Sequence, residues 1–575
     1  MSRPLAAANL GLMLLLAGCG GEPEPPAAAT PPTQTDPTWF EPEEEARAAT
    51  PSTHTGSPWF ESQEEARGVQ FTLDTELSKQ HWMPEIIVGG GAALDFDDDG
   101  WMDLYLLQAS GEGGNRLLHN VGDGTFEDVT EGSGAGDVGY ASGVAAGDID
   151  GDGDVDLFVS NLDADVLLRN DGDGHFTDIS DQSDIGDEQW GTSATFLDAD
   201  ADGDLDLFVC RYVQWSPETV LPCLGIGFND LETPDYCKPN RYPPSTDLFY
   251  LNDGEGRFTD AAEASGIGSV QGYGLGVVAA DFNGDGATDM FVANDTMPDR
   301  FWQNNGDGTF EEAGFNMACD RDNTGLAKAG MGVSVADVND DGAPDLIVCN
   351  LKGETDSLYI NKGTYFRDMT SQAGLSGESF GYTRFGLGLV DFDNDGRLDY
   401  FAANGAVLAD PDVTEGDPYA HDNLLLQGRT DRMGFKPIDH GGITSLPART
   451  SRGAIFADFD NDGGMDIVVL NRNAPARVLA NTVADRGNWL LVDARDASGA
   501  PAIGARVEVD VGDLTRTGFV QAGSSYLTAR DPRVHFGLGE HTRVSEVRVL
   551  WPGGDRVRLR DVPTNRVLRV DRPSP

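Results

Sequence analysis

Asp148-Ile-Asp150-Gly-Asp152-Gly153-Asp154-Val-Asp156 is the stretch on which the reading of this chain turns. Carboxylates at alternate positions point into the concave side of a tight loop, and the glycine at position six permits the sharp turn. Position seven offers a backbone carbonyl. Asp at position nine stands where a helical calcium hand uses a more distant Glu. The same pattern, D-x-[DN]-x-D-G-x-x-D, begins at Asp95, Asp148, Asp198, Asp281, Asp337, Asp391 and Asp458. The candidate ligands are therefore Asp95, Asp97, Asp99 and Asp103; Asp148, Asp150, Asp152 and Asp156; Asp198, Asp200, Asp202 and Asp206; Asp281, Asn283, Asp285 and Asp289; Asp337, Asn339, Asp341 and Asp345; Asp391, Asp393, Asp395 and Asp399; and Asp458, Asp460, Asp462 and Asp466. An all-oxygen, flexible cage suits Ca²⁺ better than Mg²⁺ or Zn²⁺. Even in so acidic and Gly-rich a chain, chance supplies roughly a tenth of a match or fewer, so the repeats are a designed feature. About seven calcium ions are expected.

The 575 residues carry 97 acidic against 39 basic side chains, a formal charge of −58. The loops hold about a quarter of that acid, so metal would relieve much of the self-repulsion and stabilise the fold. Nucleic acid is excluded as a partner for such a surface.

At the N-terminus, Arg3 precedes an apolar run from Leu10 to Ala17 that closes with Leu16-Ala-Gly-Cys19. The run is too short to span a bilayer, and residues 1–19 are expected to be an export signal. The ending resembles the lipobox of bacterial lipoproteins. That resemblance implies cleavage before Cys19, lipid on Cys19, and with Gly20 an outer-membrane destination in the bacterial cell envelope, facing the periplasm or the surface. The lipid would be the sole membrane contact. Five cysteines remain, and in an exported chain Cys223 and Cys237, which share one insertion, are the expected disulfide.

Residues 20–68 are Pro-, Ala-, Thr- and Glu-rich and read as a disordered tether. Within it Trp39-Phe-Glu41 with Glu44-Glu-Ala-Arg47 recurs as Trp59-Phe-Glu61 with Glu64-Glu-Ala-Arg67. From 69 to 485 each repeat reads as four short strands. Ser142 to Ala146 enters the loop, Leu157-Phe-Val159 leaves it, and Val166 to Arg169 meets a Gly-Asp-Gly turn before Phe176 to Ile179. That turn recurs behind Asn120, Asn170 and Asn304. Four strands in about 50 residues, seven times over, predict an all-β, seven-bladed β-propeller. Five residues before each loop stands Gly90, Gly143, Gly276, Gly332, Gly386 or Gly453, with Ser193 the exception, as suits inner strands converging on an axis. Thirteen residues after each first Asp, five repeats place Asn161, Asn294, Asn350, Asn404 or Asn471, expected to bond their own turn. An open blade would expose a strand edge. Val69-Gln-Phe-Thr-Leu73, which precedes the first loop, is expected to complete the last blade. Long intervals between loops place insertions near Gln214–Tyr242 and Ala406–Leu446, where partner contacts usually sit.

At residue 486 the composition changes: 487–575 hold 13 Arg, no Lys and 11 acids. Strand-like runs there predict a small all-β domain over 486–575. Its arginines could dock on the acidic propeller, bind anionic glycan or form a solvated surface, the last being favoured.

The loops and Phe-containing turns resemble FG-GAP/VCBS repeats, as in integrin α-subunit propellers. Ala502-Ile-Gly-Ala-Arg-Val507, Ser524-Ser-Tyr-Leu527, Val534-His-Phe-Gly-Leu-Gly539 and Val549-Leu-Trp-Pro-Gly-Gly554 resemble the ASPIC/UnbV domain, and Tyr236-Cys-Lys-Pro239 fits the same group. Their order is similar to that of cartilage-acidic-protein-like proteins. The resemblance implies calcium binding and extracellular interaction, without an agreed reaction.

Catalytic signatures are thin. Gly377-Glu-Ser379-Phe-Gly381 matches the G-x-S-x-G elbow but precedes a β-rich run rather than a helix, and is read as coincidence. The eight His show no zinc spacing. No catalytic residue is assigned. The first reading is a calcium-rigidified binding or adhesion module for a protein or glycan ligand. A polysaccharide lyase or hydrolase, and an envelope assembly factor, are the alternatives.

Overall fold

Alternating β-branched and aromatic runs around each acidic loop need a surface to bury against, and each repeat supplies it as one sheet. The computed structural model describes residues 58–573 apart from 76–77, 79, 111–113, 173, 186–188, 227–231, 414 and 439–442. In repeat two, Ala141–Gly147, Asp156–Asn161, Val166–Asn170 and Phe176–Asp178 form an antiparallel sheet in sequence order. The other six repeats build equivalent sheets. Their inner strands touch in succession, and that of repeat seven (Ser451–Ala457) returns to that of repeat one (Gly91–Leu94). The ring is a β-propeller.

The glycine register answers to this convergence. A Cβ on Gly143 would meet the Thr192 carbonyl of the next inner strand, and one on Gly332 the Phe385 carbonyl. Ser193 instead donates its hydroxyl to Leu275 O on the following strand (2.5 Å).

The strand that closes the ring is not 69–73. Phe60–Ser62 pairs with Arg477–Asn481 as the outermost strand of repeat seven. Thr72 and Leu73 make single bridges to Pro475 and Arg472 at a turn of the same repeat. The reason is apolar burial. Trp59 and Phe60 cover the sheet of repeat seven together with Phe392 and Phe456, whereas Val69, Phe71 and Leu73 fill the seam between repeats one and seven. Residues 58–68 of the expected disordered tether are therefore folded, with the second Trp-Phe-Glu copy among them, and 20–57 lie outside the described residues. The first copy, Trp39 to Arg47, and the lipobox with Cys19 lie outside the described residues. Among the described residues no helix is long and apolar enough to cross a membrane.

Behind the ring, a three-stranded sheet (Val534–Gly539, Asn488–Arg495, Val567–Asp571) and a four-stranded one (Leu514–Phe519, Arg506–Val511, Arg543–Leu550, Arg556–Pro563) bury Leu490, Val507, Phe536, Val549 and Trp551 between them. One segment leaves this domain and enters the propeller axis. Thr528–Ala529 runs parallel to Gly91 and Ala92 of repeat one. Ser525 exchanges backbone bonds with Val333 of repeat five, and its Oγ accepts from Leu387 N of repeat six (2.9 Å). Leu527 N donates to Ser193 Oγ of repeat three (3.0 Å). Tyr526 is fully buried, its hydroxyl on Ile87 O (2.6 Å) and its ring edge-on to Phe385 at 4.8 Å.

The Ser524–Leu527 motif is thus a plug shared by both domains, and removing its anchor should be felt by both. Tyr526→Ala should cost about 3–5 kcal/mol, the range for a buried aromatic cut to Ala. Urea unfolding followed separately in each domain should shift together; a shift confined to the C-terminal domain would refute a shared plug.

Candidate metal centres

Each acidic loop joins the first and second strands of its repeat, so all seven open at one end of the ring. The first Asp of a loop folds it. Asp95 accepts from the N–H groups of Asp99 and Gly100, and Asp337 from those of Asp341 and Gly342. The ninth Asp joins the loop to its sheet. Asp156 accepts from Ile149 N (2.8 Å) and from Asn170 N at the end of the third strand (2.7 Å). Asp103, Asp206, Asp289 and Asp345 repeat both bonds in their own repeats.

The Asn at that strand end reaches further. Asn170 Nδ2 donates to Phe96 O in the loop of the preceding repeat (2.7 Å). Asn252, Asn304, Asn361, Asn481 and Asn120 likewise donate to Ile149, Ala199, Phe282, Phe392 and Phe459. Repeat six has Gly428 at this place and lacks the stitch. Sequence reading saw Asn120, Asn170 and Asn304 as part of a recurring turn, and that recurrence was the signal for this role. Asn161, Asn350 and Asn471 bond carbonyls of their own turns, at Ala164, Thr355 and Pro475. Asn294 and Asn404 correct that expectation: Asn294 accepts from Tyr273 N and donates back to Val292 O, and Asn404, followed by an insertion in place of a short turn, donates to Asp422 O.

Carboxylates converge as the spacing requires. Oxygens of Asp95, Asp97 and Asp103, of Asp148, Asp150 and Asp156, of Asp198, Asp200 and Asp202, and of Asp391, Asp393 and Asp399 lie within 4.8 Å of one another in each set. Several have no protein partner: Asp150 Oδ1, Asp198 Oδ1 and Asp200 Oδ1 are buried and unbonded, as is Asp460 Oδ1, whose carboxylate however already meets Arg67 through Oδ2. Buried carboxylate oxygens without donors are costly unless a cation meets them, so this donor set fits a hard divalent ion. Burial pushes Asp95, Asp206, Asp289, Asp337 and Asp458 up to about 7. In loops four and five, Asn283 and Asn339 take the third position and each accepts from the fifth-position N–H through Oδ1.

The arginines of the C-terminal domain correct the expectation of a solvated surface, because several turn toward these loops. Arg495 lies 3.8 Å from Asp95 and 3.3 Å from Asp98, and Arg569 3.5 Å from Asp98. Arg533 donates to Asp458 O (3.0 Å), and Ser498 Oγ to Asp148 Oδ2 (2.8 Å). Arg543, Arg558 and Arg560 remain in solvent-facing pairs.

Insertions join second to third strands, which puts them at the opposite end of the ring. The second is shorter than its sequence bounds suggested, because Leu424–Gly428 and Phe435–Pro437 are the outer strands of repeat six. A disulfide joins Cys223 and Cys237, while Cys210, Cys319 and Cys349 are buried thiols. The insertions meet: Tyr419 OH donates to Asp235 Oδ1 (2.8 Å), and Arg472 lies over the Tyr419 ring at 4.8 Å. Beside them a groove of about 640 Å³ is lined by Gln189, Trp190, Gln214, Trp215, Arg241 and Tyr242. Ser379 is structural, its hydroxyl held by Leu375 O and Asp356 N.

Family models match this architecture, with an FG-GAP-like repeat over 95–159, 148–209, 241–292, 281–348 and 337–402, and ASPIC and UnbV over 495–575. The chain carries FG-GAP-like repeats and an ASPIC/UnbV domain. It is similar to Cartilage acidic protein 1 of Homo sapiens, 30% identical over 308 residues, which is 52% of this chain and 43% of that protein. The chain thus spans less than half the length of the curated relatives it matches. Among solved structures it is similar to the BP39L lectin of Burkholderia pseudomallei (10% identity, 68% of this chain and 99% of that one, TM-score 0.37). It is also similar to rhamnogalacturonan lyase PL11 of Bacillus licheniformis (12% identity, 74% and 76%, TM-score 0.36).

The FG-GAP loops make metal-free stability depend on pH. An Asp held at about 7 when folded and near 4 when unfolded favours the fold while protonated. That stability is full below about pH 4 and lost as pH rises through about 7. Half-buried His421 and His535, held down to about 4 by desolvation, act in the opposite sense but are outnumbered. In chelator the urea midpoint should fall from pH 4 to 7, and millimolar calcium should abolish the fall. A midpoint that rises over this range in chelator would contradict the assignment.

Proposed function

We propose that this protein is a lipid-anchored, extracytoplasmic binding module of the bacterial envelope, whose seven-bladed propeller calcium makes rigid and whose opposite face carries the ligand. The observation that carries the calcium reading is the set of buried, unbonded carboxylate oxygens in the loops. Asp148, Asp150 and Asp156, and their equivalents, would hold the ion; bound calcium would supply charge neutralisation and cross-linking of each loop. Loop affinity on the order of 10⁻⁴ to 10⁻³ M would suit an extracellular module.

The ligand reading is supported by the division of labour between the two ends. The C-terminal domain packs on the loop end and leaves there a cavity of about 820 Å³ walled by loop carboxylates, while the insertion end offers a groove in which half-buried Trp215 stands beside exposed Gln189, Gln214 and Arg241. Aromatic faces with amide and guanidinium donors suit a protein segment or a glycan. The lipid anchor and outer-membrane location are supported by Leu16-Ala-Gly-Cys19 and Gly20.

Two measurements test this reading. Native mass spectrometry of the chain with Cys19→Ser, in millimolar calcium and then in chelator, should show several ions lost together with stability; a chain that takes up none would end the calcium reading. Screening on glycan and peptide arrays should then give a ligand whose binding falls at least tenfold in Trp215→Ala/Arg241→Ala. Binding unchanged by that pair would move the ligand away from the insertion end.

A further inference from the structure

Arginines approach loops one and six as well, at Asp95 and Asp395, but in the seventh loop a guanidinium bonds the carboxylates of the third and ninth positions together. Arg67 follows directly on the closing strand Phe60–Ser62 and is only 8% exposed. Its Nη2 donates to Asp460 Oδ2 (2.8 Å), and its Nη1 to Asp466 Oδ2 (3.1 Å) and Gly124 O (3.4 Å). Asp460 and Asp466 are the third and ninth positions of the loop. In loop two the equivalent Asp150 and Asp156 converge with Asp148, and Asp150 Oδ1 is left unbonded.

Further guanidinium groups surround the same loop. Arg486 pairs with Asp462 at the fifth position (2.5 Å), and Arg533 donates to Asp458 O at the first and to Asn461 Oδ1 (2.8 Å). A divalent ion entering here would sit among fixed positive charges at short range, where repulsion is strong because the site is partly dry. The backbone explains why Arg67 arrives at this place. Gln63 N bonds Val478 O, Arg67 N closes a turn onto Gln63 O, and Arg67 O accepts from Phe126 N in repeat one. The clasp residue is pinned between the first and last repeats.

We infer that Arg67 takes the cation position of the seventh loop, so that the chain's own N-terminal clasp neutralises the repeat that closes the ring. The protein then takes up one divalent ion fewer than it has acidic loops. This count rests on the calcium reading above, but the clasp itself does not. Asp460 Oδ1 remains free, so removing the guanidinium leaves a full set of oxygens for an ion. Arg47 holds the same place in the upstream Trp-Phe-Glu copy, so the test removes both arginines.

The experiment counts calcium ions by native mass spectrometry in four full-length proteins, all with Cys19→Ser. These are the parent, Asp460→Ala, Arg47→Ala/Arg67→Ala, and the triple variant; Ala is used because Asn283 and Asn339 show that Asn keeps an oxygen at this position. Asp460→Ala alone should leave the count unchanged, the double arginine variant should gain one ion, and the triple variant should lose it again. An ion lost from the parent by Asp460→Ala overturns the inference even where the arginine variant fails to fold, and so does an equal count in the parent and a folded double variant. Urea unfolding in chelator supplies a metal-independent readout. Asp460→Ala should lower the midpoint in the parent and leave it unchanged or raised in the arginine variant, where it removes an unpaired charge. Equal shifts in both backgrounds overturn the inference. Should no protein take up calcium, the calcium reading fails, and the chelator comparison alone decides whether Arg67 is the loop's cation.

Discussion

A buried carboxylate at the ninth position of each loop is the constraint on which the ring depends. Asp156 cannot sit at zero exposure without donors, and it finds them in two places at once: the N–H of Ile149 in its own loop and that of Asn170 at the end of the third strand. That double bond fixes where Asn170 stands, and from there its amide reaches the Phe96 carbonyl of the preceding repeat. One acidic side chain thereby joins the loop to its sheet and sets the strand position and the contact between neighbours. A stitch of this kind satisfies loop carbonyls that would otherwise be buried unpaired, which is why the same three residue types recur around the ring.

The two ends of the propeller divide the chemistry. Acid is concentrated where strands one and two meet, and that end is covered by a domain rich in arginine. Charge complementarity and the axial plug act together there: Arg495 and Arg533 face the loops while Tyr526 fills the channel. The other end carries the disulfide-tied insertion and a groove lined by Trp190, Trp215 and Tyr242 rather than by carboxylates. On the proposed reading, ligand contact and metal would be kept apart by the thickness of the sheets, so that one could vary without disturbing the other.

Much of this was legible in the chain. The loops, the four-strand rhythm and the glycine register are local patterns that repeat, and Gly143 or Gly332 could be placed near the axis before any contact was known. The disulfide candidates and the two insertions were visible as breaks in the rhythm. Less legible were the Asn stitches, because Asn170 and Phe96 lie 74 residues apart and only their recurrence hints at a role. The closing strand was misplaced for a related reason. Val69-Gln-Phe-Thr-Leu73 has the alternation of a strand, but its apolar side chains are taken up in the seam between repeats one and seven, and Phe60–Ser62 pairs on the open edge of repeat seven.

By itself the sequence determined that this is a repeated, acidic, all-β chain with oxygen cages, since each cage is built from side chains within nine consecutive residues and needs no long-range information. Tertiary structure alone decided which segment closes the ring, that Arg67 enters the seventh cage, and that Ser524–Leu527 plugs the axis. Those outcomes depend on pairs such as Arg67 with Asp466, 399 residues apart, and Tyr526 with Ile87, 439 apart. No periodic pattern marks such pairs, because each occurs once and its partner is selected by which buried charge or open strand edge the folded ring leaves unmet.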